Sequence, residues 1–295
     1  MTNNRTGSLK IDHITVAGKE VESLMKTFRS MGIDSLYGGK HSTGLTEMAI
    51  VGLGDESYIE LVSATDEANP GDIYWWKSFI QENAGICAWC IRSGNIEKDT
   101  KDIAETGLST EGPKDFTRCR PDGTPVKWKL TFVDNQEREP GTIFPFLIED
   151  QTVRSLRVPE EANLSAELLR VGRVMIGVRD ADKVILQFMK LYQLQPPVIV
   201  NETEEVIEYH FEQTPMILGE PKTMSSPLGQ RLSRFGECLY GVVLEVEDLE
   251  KAQQSFQGFN QKEFLGDHVV LWHEAASNSI LKKMKLGIIE ERSCK

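Results

Sequence analysis

Apolar residues at Ile11, Ile14 and Val16 give way to a helical spacing at Val21, Leu24, Met25, Phe28 and Met31, closed by Gly32. That change of period predicts a strand feeding an amphipathic helix. The same change recurs in ICAWCIRSGNIEKDTKDIAETG, RVMIGVRDADKVILQFMKLY and LYGVVLEVEDLEKAQQSF. Taking the helix starts as Glu20, Asn95, Asp180 and Asp248, three of the four are residues that cap helices well, and Glu20 is the weak member. Seven residues before each start lie His13, Ala88, Arg173 and Gly241, which should hold one equivalent position on their strands. After the helices come strand-like runs: TEMAIVGLG and SYIELVSA, then VKWKLTFVD and IFPFLIED, then EVIEYHF and TPMILGEP. The fourth unit is the least regular, with DHVVLWHE and ILKKMKLGII as its later strands.

These units predict an α+β fold of four βαβββ modules in two pairs, spanning 8–152 and 168–290. Between them VRSLRVPEEANLSAE is charged, contains proline and has no steady period, which reads as a boundary. Each pair should form a curved, cup-shaped mixed sheet.

Composition narrows the class of molecule. The 295 residues are 40% hydrophobic and 26% charged, a globular balance, and no apolar run approaches the ~18 residues of a membrane span. The opening MTNNRTGSLK lacks the apolar core of a signal peptide, so the expectation is a cytoplasmic protein without membrane partners. A net charge of -12 argues against nucleic acid, whose binding rests on neutralising phosphates with Lys and Arg. The five cysteines are scattered and read as reduced thiols. Cys87 and Cys90 have the spacing of a metal knuckle, but they lie in a strand, where residues three apart should face opposite ways.

Four such units, opened by IDHITVAG and with SYIELVSA closing the first, resemble the vicinal oxygen chelate superfamily. Residues 10–150 look most like its glyoxalase-like branch. LYGGKHSTGLTEMAI is similar to a Gly-Gly-x-His loop and following strand there, and RCRPDGTPVKWKLTF to its Arg-x-Arg-Pro-Asp-Gly segment. Residues 170–285 look like a more divergent pair, in which SSPLGQRLSRFGECLYGVVLEVEDLEKA is similar to the stretch before the second half of methylmalonyl-CoA epimerase-like members. The resemblance implies a divalent metal held by one residue from each first and last strand of a pair. Carried over, those positions are His13, Glu60, Ala88 and Phe146 in the first half, and Arg173, Ile217, Gly241 (beside Tyr240) and Lys282 in the second. Two His/Glu donors make a weak site for Zn, Mn, Fe or Ni, and the second set holds no usual ligand. No cofactor is therefore expected. A divalent metal is disfavoured, and would sit at His13 and Glu60 if anywhere.

His13, Glu60 and His41 are the candidate catalytic residues, since a histidine tuned by a carboxylate can move protons at a carbonyl or enol without metal. Substrate contacts are expected from Arg118 and Arg120, which precede the turn Pro121-Asp122-Gly123 and could clamp a carboxylate or phosphate. Trp128 is a further candidate, as are Arg173, Tyr240 and Lys282 in the second cup. Trp89 could be core or pocket, and Trp75-Trp76 could cover the mouth or anchor a helix. Three functions stay open: a metal-independent isomerase or lyase acting on a small oxygenated molecule that carries a carbonyl or enol, with or without a carboxylate, a protein that sequesters a small molecule, and a metal-dependent glyoxalase-like enzyme. A homodimer is also left open.

Overall fold

The structure is a computed structural model, and it describes residues 9–69, 71–134, 138–163, 165, 167–265, 268–274 and 283–291. Each module opens with a strand and a helix. These are β1 (Ile11–Ala17) with α1 (Val21–Arg29), β5 (Gly85–Arg92) with α3 (Ile96–Ala104), β9 (Leu168–Gly177) with α5 (Ala181–Tyr192), and β13 (Cys238–Val246) with α7 (Leu249–Ser255). Glu20, Asn95, Asp180 and Asp248 are the four N-caps. The side chains of Asn95, Asp180 and Asp248 each accept a main-chain N–H of the first turn, and Glu20 makes no such bond.

Three strands follow each helix. They are β2 (Leu36–Lys40), β3 (Thr46–Gly52) and β4 (Tyr58–Ala64); then β6 (Thr110–Cys119), β7 (Pro125–Val133) and β8 (Phe146–Asp150). The second half supplies β10 (Val198–Glu202), β11 (Val206–His210) and β12 (Met216–Pro221), then β14 (Phe259–Leu265), β15 (His268–His273) and β16 (Lys285–Glu290). Among the described residues they build two sheets, ordered β2-β3-β4-β1-β5-β8-β7-β6 and β10-β11-β12-β9-β13-β16-β15-β14. Within each module the first strand runs parallel to the last, and the two first strands of a pair meet antiparallel at the centre. The first sheet curls until its edges touch, where His41 just beyond β2 bridges Arg118 on β6.

The two sheets share one apolar core in which Ile14, Val16 and Trp89 join Val174, Ile176 and Leu239. Among the described residues three further α-helices lie outside the modules: α2 (Lys77–Gln81), α4 (Arg154–Arg157) and α6 (Pro227–Phe235). Arg231 of α6 ties the halves by donating to the carbonyls of Ala84 and Ile86 on one side and Leu239 and Lys283 on the other. None of the helices, among the described residues, is long and apolar enough to cross a membrane.

One expectation about the cysteines fails. Thr15 pairs with Ala88 and Val16 with Ile86, so Cys87 is an inserted residue. Such a bulge breaks the alternation of a strand, and Cys87 and Cys90 consequently enter the same apolar cluster. Both are free thiols there. Burial pushes both well above the ordinary thiol range, and that protonated state suits neither metal ligation nor nucleophilic attack.

Candidate active site

β1 carries a second bulge at the base of the first cup. Ile11 pairs with Ile91 and His13 with Cys90, which leaves Asp12 without a partner across the sheet. The inserted residue lets two neighbours meet on one side of the strand, and Asp12 Oδ1 lies 2.8 Å from His13 Nδ1. With a carboxylate as acceptor, Nδ1 carries the ring proton and Nε2 is turned to the cavity.

Asp12 has no solvent exposure, and its charge is met from the segment between the sheets. Arg157 of α4 grips both oxygens through Nη1 and Nη2 at 2.8 Å each, and Arg154 adds a contact at 2.7 Å. Burial alone would raise the Asp12 carboxyl. The Arg157 guanidinium, its hydrogen bonds and His13 together hold it well below the usual carboxylate range. Arg157 also donates to Asp150 and to the Tyr58 hydroxyl, and the Tyr58 ring stacks on His13 at 4.7 Å. Asp12, Tyr58, Arg154 and Arg157 escaped sequence reasoning. An Asp-His pair inside an alternating strand was the one available signal, because two adjacent polar residues cannot share a face without a bulge.

Glu60 stands opposite Thr15 in the parallel β1–β4 ladder, and the Thr15 hydroxyl donates to its Oε2 at 2.9 Å. His13 Nε2 is 4.0 Å from Oε2, while His41 Nε2 is 3.5 Å from Oε1. The other nitrogen of His41 lies 2.8 Å from the Thr46 hydroxyl. Burial works against charge on Glu60, but His41, His13 and Thr15 outweigh it and bring its pKa down to about 2. A fixed carboxylate thus sits between two imidazoles.

These groups form the inner end of a cavity of about 440 Å³ whose other walls include Met48, Trp75, Phe116, Trp128, Phe132 and Phe146. Trp128 lines it, as does Arg118, which is only 3% exposed. Arg118 donates through Nη1 to the carbonyl of Gly38 and through Nη2 to that of Arg157, bracing β2, β6 and α4 together. Arg120 is not among the lining residues; its Nε lies 3.5 Å from Asp122 in the adjoining turn. Trp89 is fully buried in the core shared by the sheets. Trp76 anchors its indole N–H on the carbonyl of Pro140, and Trp75 packs at the cavity wall.

In the second half, strand register identifies the equivalents of the first-cup positions. Arg173 and Ile217 hold theirs, since Met175, two residues after Arg173, pairs with Ile217. On β13 Val243, two residues after Gly241, pairs with Gly287, so Gly287 occupies the position expected of Lys282. Lys282 itself lies outside the described residues. Side chains of this half crowd its glycines: a Cβ on Gly219 would come 2.5 Å from the Tyr240 hydroxyl, and one on Gly287 2.8 Å from the Trp272 ring. Tyr240 donates to buried Glu208 at 2.6 Å, and Arg173 reaches the carbonyl of Gly172 and, at 3.4 Å, Glu245. Neither Arg173 nor Tyr240 contributes to the first cavity.

The four metal positions implied by the fold are filled in the first cup by His13, Glu60, Ala88 and Phe146. The Phe146 ring stands edge-on to His13 at 5.4 Å and offers no donor. Among the described residues the donor atoms that do cluster are those of Asp12, His13 and Cys90. Both Asp12 oxygens are already held by guanidinium groups, and burial pushes the Cys90 thiol well above the ordinary thiol range. The residues present do not fit a four-ligand metal centre.

No curated protein matches the chain. Among solved structures it is similar to a hypothetical protein from Staphylococcus aureus, with 15% identity, a TM-score of 0.61, and coverage of 96% of this chain and 99% of that one. A variant of 4-hydroxymandelate synthase from Streptomyces coelicolor gives 8% identity and a TM-score of 0.62, covering 96% and 92%. A fusion protein of a xylose isomerase-like TIM barrel with 4-hydroxyphenylpyruvate dioxygenase gives 12% and 0.60, covering 98% of this chain and 49% of that chain. At such identities the likeness speaks for the fold. The family described as "Glyoxalase-like domain" matches residues 11–192, which reaches from β1 through the connecting segment to the end of α5. The chain therefore belongs to the family of glyoxalase-like domains.

Proposed function

We propose that the first cup is the active site of a metal-independent isomerase or lyase that moves a proton beside a carbonyl or enol. The observation that carries this reading is the Asp12–His13 pair, with Nδ1 tied at 2.8 Å and Nε2 turned to the cavity. His13 Nε2 takes the proton from carbon, and the electron pair moves toward the substrate oxygen. Asp12 keeps the ring in the right tautomer and faces the positive charge that develops on it. In this reading His41, across the Glu60 carboxylate, returns a proton, and Glu60 favours whichever imidazole is transiently charged. Ring-lined walls also favour a second reading, a protein that sequesters a small molecule.

Comparing His13→Gln and His41→Gln separates the two. Loss of the true proton carrier should lower turnover by ~10²- to 10⁴-fold with little change in affinity. If both variants keep full turnover on an established substrate, the acid-base assignment is wrong. A protein with no turnover whose affinity follows cavity shape would be the sequestering one.

A further inference from the structure

The cavity wall is a continuous run of rings leading to the polar end. Trp75 meets Phe116 at 5.7 Å and Phe132 at 4.6 Å, Phe132 meets Phe146 at 5.9 Å, and Phe146 meets His13. Ring faces spaced this way favour another flat π-system over an aliphatic body of equal size. The polar end, by contrast, calls for a donor. With its proton on Nδ1, His13 offers a lone pair at Nε2, and 4.0 Å away Glu60 offers another at Oε2. The gap is too long for a direct bond, and a ligand hydroxyl entering it has one hydrogen to give, which the charged Oε2 accepts in preference to the neutral ring nitrogen.

Charge sorts the ligand further. A carboxylate in that gap would meet the ionised Glu60, and the nearby cations are engaged elsewhere. Arg118 holds two main-chain carbonyls, Arg157 holds Asp12, Asp150 and Tyr58, and Lys114, the third cation lining the cavity, pairs with Glu111. We infer that the ligand is an uncharged aromatic molecule with a hydroxyl on or beside its ring, its ring along Trp75, Phe132 and Phe146 and its hydroxyl donating to Glu60. The inference rests on the first cup being the working site and narrows the oxygenated substrate proposed above, excluding the carboxylated kind.

The test is calorimetric titration of the full chain at neutral pH with 2-naphthol, 2-naphthoate and decahydro-2-naphthol, probes that share one skeleton. 2-Naphthol should bind at least about tenfold more tightly than either of the others, the difference from naphthoate reflecting like charge at Glu60. Glu60→Gln should erase most of the preference for naphthol over naphthoate while leaving the preference over the decahydro compound. Naphthoate binding as well as naphthol to the unaltered protein would overturn the hydroxyl assignment. Equal binding of the saturated probe would overturn the aromatic one. These readings need no turnover, so a naphthol preference alongside histidine variants of full activity would uphold the ligand class and sink only the acid-base mechanism.

Discussion

Asp12→Asn tests the centre of the site with almost no change in shape. Oδ2 receives Arg157 Nη2 and Arg154 Nη1, with Arg92 Nε at 3.5 Å, whereas Oδ1 receives Arg157 Nη1 and His13 Nδ1. An amide –NH₂ is repelled by fewer donors at the Oδ1 position, so it should turn toward His13. It then donates to Nδ1, the ring proton moves to Nε2, and the lone pair that faced the cavity is gone. Turnover should fall by ~10²- to 10⁴-fold, as expected when a general base is held in the wrong tautomer. Stability should fall too. Removing one charge of a buried pair costs about 3–5 kcal/mol, and Asp150 remains to compensate Arg157, which argues for the lower end. For a chain of this size that is a drop of roughly 5–8 °C in Tm. The tautomer can be read without any substrate by long-range ¹H–¹⁵N NMR of the imidazole nitrogens, and five histidines are few enough to assign. Neutral His13 should carry its proton on Nδ1 in the unaltered protein and on Nε2 in the variant. An Nε2-protonated ring in the unaltered protein, or an unchanged tautomer in the variant, would refute the dyad.

Two further outcomes follow from the same network. Arg157→Met leaves Asp12 buried without its two-pronged partner and should destabilise by about 3–5 kcal/mol in urea denaturation, while Arg120→Met should leave the midpoint unchanged. Equal effects would mean that Asp12 is compensated by other groups. Glu60 titrates at about 2 when folded against 4.5 as its ordinary value, so its contribution is whole above pH 4.5 and is lost as pH falls from there toward 2. The loss should reach roughly 3 kcal/mol and flatten in Glu60→Gln; an unchanged acid-unfolding slope in that variant would contradict the assigned charge.

The repeat was legible in the sequence because the elements that build it obey strong rules. The central strands are buried on both faces and the helices alternate at a fixed period, so even the capped and uncapped N-termini could be told apart at Asn95 and Glu20. What escaped was the first strand after each helix. β2, β6, β10 and β14 all lie at sheet edges, where one side needs no partner and the pattern need not alternate, as the largely polar and exposed TEGPKDFTRC of β6 illustrates. His13, Glu60 and His41 could be nominated because the repeat placed two of them on the first and last strands of one module, which pair side by side, and a motif supplied the third. Arg157 could not. A short stretch without period looks like a tether, and nothing local announces that one of its arginines is 3% exposed and joined to a residue 145 positions earlier. The position expected of Lys282 went to Gly287 for a related reason, since a last strand with few apolar landmarks leaves its register unset.

The placement of Arg157 bears on how such proteins can be recombined. Paired modules joined by a spacer invite exchange of whole halves between relatives, with the seam drawn after β8. Here that seam would separate Asp12 from the guanidinium that neutralises it, leaving a bare charge at the root of the cup. A heritable shuffle must therefore carry α4 with the first half. The functional unit of this chain ends inside what its sequence presents as the gap between two others.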